Sequence, residues 1–209
     1  MPIVASENAK SFYHLARRLI GLAEKFPEKA VEEIIKANGS FSFHSEKMKI
    51  EGKSGATLRH DSIDGKAYAL GKDVYMEGKI AWNIKLESYK TWLFIGIVRD
   101  DIQTISDTSF QAPGVYGWAL GEKNSGTSTT VYRDGDYESC DIGNSIIGKG
   151  SKVKLTLDIN AATLTLTLSP LINSVSAGKV KVIDVPESQS WRLLINMHDA
   201  YSRISMKES

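Results

Sequence analysis

The sequence predicts a mainly β protein, an antiparallel β-sandwich with an N-terminal helical segment. Three observations carry this. First, the apolar residues recur with period two beyond Gly39: Ile80, Trp82, Ile84 and Leu86 alternate with Ala81, Asn83, Lys85 and Glu87. Val153, Leu155, Leu157 and Ile159 do the same against Lys154, Thr156 and Asp158, and Leu164, Leu166 and Leu168 against Thr163, Thr165 and Thr167. Such alternation describes a strand with one buried face and one wet face. Second, turn signals separate the strands. Asn160-Ala161-Ala162 joins two of them, and Asp134-Gly135 marks another hairpin. Third, strands do not alternate with helices, and no repeat or low-complexity tract interrupts the pattern, which favours antiparallel layers.

The helical segment comes first in the chain. Phe12, Leu15, Ala16, Leu19, Ile20, Leu22, Ala23 and Phe26 recur at three- and four-residue steps. Pro27 breaks this pattern and opens a second, shorter helix with a Val31, Ile34 and Ile35 stripe. Asn38-Gly39 stops it, because both residues tolerate positive φ. The expected organisation is a two-helix extension over residues 1–39 and a sandwich domain over 40–209. The helices are expected to pack on the sandwich. The chain is expected to be a monomer, or to associate weakly through those helices.

The central strands carry two aromatic-and-glycine segments. Trp92-Leu93-Phe94-Ile95-Gly96-Ile97-Val98 is one, and Tyr116-Gly117-Trp118-Ala119-Leu120 follows it beyond a polar loop. Trp82, Trp92 and Trp118 are expected to fill the core, and Gly96 and Gly117 to permit close strand approach. Leu193, Ile195 and Met197, then Ile204 and Met206, supply two closing strands.

Composition narrows the function. The chain has 209 residues, 42% hydrophobic and 24% charged, enough for a sizeable core that buries roughly 70% of the unfolded surface. The net charge of +1 disfavours a nucleic-acid partner. No run approaches the roughly 20 apolar residues of a membrane span. The single cysteine, Cys140, forms no internal disulfide, and residues 1–10 lack the apolar core of a signal peptide. A cytoplasmic or nuclear setting is expected.

Catalytic motifs are poor. Gly143-Asn144-Ser145-Ile146-Ile147-Gly148-Lys149-Gly150 nearly spells a phosphate loop, but the hydroxyl residue after the lysine is displaced and a strand follows where a helix is needed. His14, His44, His60 and His198 are not at metal-ligand spacings from one another or from Cys140. His198-Asp199 is an adjacent pair without a nucleophile elbow. The reading is a non-enzymatic protein with no cofactor and no metal.

Five segments resemble the SPRY family, in its order and spacing, over about residues 45–207. Gly78-Lys79-Ile80-Ala81-Trp82 is similar to its glycine-x-x-x-tryptophan strand, Trp92–Val98 to its isoleucine-glycine strand, and Tyr116-Gly117-Trp118 to its tyrosine-glycine-tryptophan motif. Gly148–Val153 resembles its turn before a strand, and Leu157–Leu164 its leucine-aspartate…threonine-leucine hairpin. Ala162 departs from the glycine common in that hairpin, and Thr165–Leu168 replaces its aromatic strand. The resemblance implies a bent, concanavalin-like jelly-roll sandwich that binds a protein or peptide partner through rim loops. It implies an adaptor, such as the substrate-recognition part of a ubiquitin ligase. The rim residues it points to are Arg59, His60, Tyr68, Arg99, Asp100, Asp101, Met197, His198, Asp199 and Tyr201, with the polar loop after Arg99 among the binding loops. A lectin-like sandwich, with Tyr132, Tyr137 and Asp134 as a sugar platform, is the alternative.

Overall fold

The computed structural model describes residues 34–36, 39–63, 65–88, 91–121, 129–140, 147–169 and 179–206. The helical reading of residues 1–33 lies outside them. Ile34–Lys36, which the apolar spacing placed in the second helix, is a strand instead, β1. The others follow in order: β2 Phe41–His44, β3 Met48–Glu51, β4 Thr57–His60, β5 Ala67–Gly71, β6 Lys79–Ser88, β7 Trp92–Arg99 and β8 Val115–Gly121. Then come β9 Thr130–Arg133, β10 Asp136–Ser139, β11 Lys152–Asp158, β12 Thr163–Ser169, β13 Lys179–Asp184, β14 Trp191–Met197 and β15 Arg203–Met206.

Two sheets form. The first runs β13-β12-β11-β6-β15-β4-β3, and β1 adds to β6 in parallel. The second runs β10-β9-β8-β7-β14-β5-β2. Apart from β1, the pairings are antiparallel, as expected. The register explains why β1 is a strand. On one side of β6, β15 pairs only from Ile84 to Ser88, which leaves Lys79–Ala81 open on that side. Ile34–Lys36 fills that gap, with Ile34 opposite Lys79. Backbone groups left unpaired at a sheet are costly, so the vacant ladder outweighs a short helical stripe.

The predicted alternation is realised where only one face is buried. On β6, β11 and β12 the apolar residues Ile80, Trp82, Leu155, Leu157, Leu164 and Leu166 point between the sheets. The β11–β12 hairpin turns at Ala162, whose φ is +51°. A side chain in that left-handed region costs about 1–2 kcal/mol. Ala162→Gly removes the strain but loosens the unfolded chain, which returns about 0.5–1 kcal/mol. The variant is therefore expected to be more stable by about 0.5 kcal/mol, seen as a raised urea midpoint with unchanged slope. The Asp134-Gly135 turn has positive φ at both residues, 54° and 94°, as a two-residue hairpin with the right-handed sheet twist requires.

The second sheet is buried on both faces. Leu93, Ile95, Ile97, Trp118, Leu120 and Leu193 join the core between the sheets. Phe94, Val98, Val115, Ala119, Tyr132 and Leu194 form a separate cluster on the outer face, together with Phe110. Trp92, expected in the core, is only partly buried and belongs to this outer cluster. Its odd–even position on β7 decides this, since Leu93 and Ile95 take the inward places.

Candidate partner-binding surface

The expected rim residues are not one surface. β14 runs antiparallel to β7 with Trp191 opposite Arg99 and Met197 opposite Leu93. Arg99–Asp101 therefore lie at one end of β7, and His198–Tyr201 lie beyond the other. At about 3.3 Å per residue the separation is about 20 Å. Arg59 and His60 belong with the Tyr201 end, because the Tyr201 N–H donates to the His60 carbonyl at 3.0 Å and the His60 N–H to the Ser202 carbonyl at 2.9 Å.

At that end, two of the expected contact residues are not available to a partner. His60 is fully buried. Its Nδ1 accepts from the Ser62 N–H at 3.4 Å and its Nε2–H donates to the Gly65 carbonyl at 3.0 Å, so the ring is spent on its own loop. Met197 is buried in the core between the sheets. Tyr68 is also largely buried, in the outer cluster, with its hydroxyl pKa pushed up first by burial and then by the Asp107 carboxylate.

Asp199 is a support. Its carboxylate accepts the backbone N–H groups of Thr91 and Trp92 at 2.7 and 3.0 Å, and the Thr91 hydroxyl. Burial opposes its ionisation, but those hydrogen bonds and the contact with His198 prevail and hold its pKa below the ordinary 3.8. A depressed carboxylate stabilises the fold fully above pH 3.8, and that stabilisation is lost as pH falls below 3.8 toward the lower folded value. Asp199→Asn is thus expected to lower the urea midpoint at pH 7. The gap to the wild type should narrow as pH drops below about 3.8; a pH-independent gap would contradict the assignment.

Tyr201, Ile63 and His198 are exposed here, as is Arg203. Tyr201 is 61% exposed and has φ +65°. Its backbone is pinned on both sides, by the His60 carbonyl and by the Ser88 hydroxyl, which donates to the Tyr201 carbonyl at 2.5 Å. Ile63, 77% exposed, sits in the loop that leaves His60. The sequence reading missed it, although an isoleucine in the polar stretch Asp61-Ser62-Ile63 was the available signal. Beside them Arg59 pairs with Glu51 at 3.0 Å and Asp61 at 3.1 Å, and Lys49 also pairs with Asp61. Asp61 is held below its usual value first by the Lys49 contact.

At the opposite end, Arg99 pairs with Asp101 at 3.1 Å and Arg192 with Asp100 at 2.6 Å. These charges are matched in place and flank a small notch of about 110 Å³ over Leu70, Val98, Ile102 and Ile105. The polar loop that follows, expected to be a free binding loop, is a cover over the second sheet. Phe110 is buried against Trp92, Tyr132 and Phe94, with ring centroids at 4.9, 5.3 and 5.9 Å. The Lys66 ammonium sits 4.1 Å over the Phe110 ring. Asn196 Nδ2 donates to the Asp107 carbonyl at 3.2 Å, and Lys47 pairs with the Asp107 carboxylate at 2.9 Å. A phenylalanine inside a polar loop was the sequence signal for this anchoring.

The alternative sugar platform is also dispersed. Tyr132 is buried in the outer cluster, and the Asp134 carboxylate accepts the Gly114 N–H at 2.6 Å. Of the three, only Tyr137 presents an exposed ring.

Solved structures decide the fold. The crystal structure of the human HERC1 SPRY domain is 15% identical and matches with a TM-score of 0.57, covering 81% of this chain and 98% of that one. The TRIM65 PSpry domain is 9% identical with a TM-score of 0.63, and 100% of each chain is covered. The chain has a SPRY-type fold. No protein-family model and no curated protein matches the sequence. Within this SPRY-type sandwich the five motifs fall on β6, β7, β8, the turn before β11, and the β11–β12 hairpin. Gly148–Gly150 is an ordinary turn, closed by the Ser151 N–H to the Gly148 carbonyl at 3.0 Å, and a strand follows it.

Proposed function

We propose that this SPRY-type sandwich is a protein-interaction module that binds a peptide or loop of a partner through the end bearing Tyr201, Ile63 and His198. The observation that carries the proposal is Tyr201. A non-glycine residue held at positive φ stores strain of about 1–3 kcal/mol, and such strain gathers at functional sites. Here it aims an aromatic ring into solvent from a backbone that is fixed on both sides. Tyrosine is among the residues enriched at binding hot spots, and Ile63, in the loop that leaves His60, adds exposed apolar surface at the same end. Arg59 and His198 supply polar contacts at its edge, where charges set specificity more than affinity. Recruiting a substrate to a ubiquitin ligase is one use of such a module, with the catalytic part supplied by another domain or chain.

The test is a random-peptide library panned on the full chain. Enriched peptides should lose about 2 kcal/mol, roughly thirtyfold in Kd, on Tyr201→Ala. They should be indifferent to Arg99→Glu. Peptides that respond to Arg99→Glu and ignore Tyr201→Ala would move the site to the other end of β7, and failure to enrich any peptide would remove the peptide-binding reading.

A further inference from the structure

A second surface lies away from the Tyr201 end, at the open side of the sandwich. Among the described residues, β13 closes the first sheet and pairs with β12 alone, while β10 closes the second and pairs with β9 alone. A cleft of about 260 Å³ separates these two edges, with Trp118, Val131 and Ile183 in its floor and Arg133, Glu138 and Lys181 at its mouth. β13 carries apolar residues on both faces. Ile183 is buried on the inner side, whereas Val180 and Val182 are 56% and 54% exposed on the outer side. No proline interrupts Lys179-Val180-Lys181-Val182-Ile183-Asp184, so its outer row of N–H and C=O groups is a template for another strand.

We propose that the free edge of β13 accepts an extended strand of a partner protein, antiparallel or parallel, with an acidic residue opposite Lys181 between two β-branched or aromatic residues opposite Val180 and Val182. The sheet edge supplies the backbone hydrogen bonds. The cross-strand neighbours set the sequence, because opposite charges and β-branched or aromatic pairs attract across a ladder, and like charges directly opposite repel. Charge at the cleft mouth selects the acidic residue: among the described lining residues, Lys181 and Arg133 face one carboxylate, that of Glu138, which Arg133 already engages. The same charge disfavours a second copy of this chain. Antiparallel self-pairing about Lys181 sets the two Lys181 ammoniums against each other. Lysine on an edge strand ordinarily repels other strands; an acidic residue in the incoming strand reverses that sign.

The probe is a synthetic peptide, threonine-valine-glutamate-valine-threonine with blocked ends, titrated into the isotope-labelled 209-residue chain and followed by amide shifts. The expected result is shifts confined to β13 and the cleft mouth, about fivefold weaker binding for the same peptide with lysine in place of glutamate, and an inverted preference in Lys181→Glu. A peptide N-methylated on its central residues should not bind. Binding that ignores N-methylation, or no inversion with Lys181→Glu, overturns the proposal. A wild-type chain that sediments as a dimer, and becomes monomeric on Val182→Asp, gives the edge to a second copy and overturns it too. Shifts at Tyr201 and Ile63 alone would assign the peptide to the surface proposed above and also overturn it.

Discussion

Gly96→Ala is expected to destabilise the sandwich by about 3 kcal/mol and to lower Tm by about 10 °C for a chain of this size. Gly96 lies opposite Gly117 in the middle of the β7–β8 ladder. A Cβ on Gly96 would stand 2.2 Å from the Tyr116 carbonyl oxygen, 2.6 Å from the Phe94 ring and 2.9 Å from the Gly117 Cα. Two of these three obstacles are backbone, so no rotamer change relieves them. They yield only if β7 and β8 part at the centre of the second sheet. A stability of 5–15 kcal/mol leaves little room for such a loss. Trimming the ring in a Gly96→Ala/Phe94→Leu double variant should not restore Tm, because the carbonyl contact stays. Full restoration would show that the ring alone sets the approach, and an unchanged Tm in the single variant would show that the two strands are not this close.

Phe110→Ala is expected to cost about 3–4 kcal/mol, the range for emptying a buried aromatic site. Its consequence differs in kind. Phe110 fastens the loop between β7 and β8 onto the outer face of the second sheet, through Trp92, Phe94, Tyr132 and the Lys66 ammonium. Losing it should release the loop before the sandwich opens. Hydrogen exchange is then expected to quicken at the amides of Ser109, Gln111 and Ala112, whose turn bonds to the Ser106, Thr108 and Ser109 carbonyls depend on the loop being seated. Amides of β11 and β12, in the other sheet, should stay protected. Equal acceleration in both places would mean that the loop and the core unfold as one unit, against the separation of the two apolar clusters.

The two variants probe parts of the protein that differ in how visible they are from residue order. The strands β6, β11 and β12 are legible because each reports its burial locally. Leu164, Leu166 and Leu168 alternate with partly exposed threonines, and Trp82, Ile84 and Leu86 with the partly exposed Asn83 and Lys85. β7 and β8 are less legible because both faces are covered, so Trp92–Val98 reads as one apolar run and its inward and outward residues look alike. The short strands β2 to β5 are hardest. Phe41–His44 and Met48–Glu51 bury a single apolar residue firmly each, too few to form a period.

The candidate surface follows the same division. His198 and Tyr201 were readable as loop residues near Arg59 once the strand order was matched to a known sandwich, although Arg59 itself stands in β4 and not in a loop. That His60 and Met197 face inward was not readable, because burial of a loop-flanking residue depends on what the neighbouring strand brings against it. Nor was the distance between Arg99 and His198, which is set by the antiparallel register of β7 and β14.

By itself, then, the order of residues determined the β class, the paired layers, the hairpins at Asp134-Gly135 and Asn160–Ala162, and the placing of the paired glycines in the central strands. These are local matters of period two, turn dihedrals and side-chain size. The tertiary structure alone decided that Ile34–Lys36 completes a gap beside β6, that the Phe110 loop covers a face, and that the expected rim splits between two ends of β7. Each of these depends on which backbone and which apolar surface stands opposite, and that partner is supplied by residues far away in the chain.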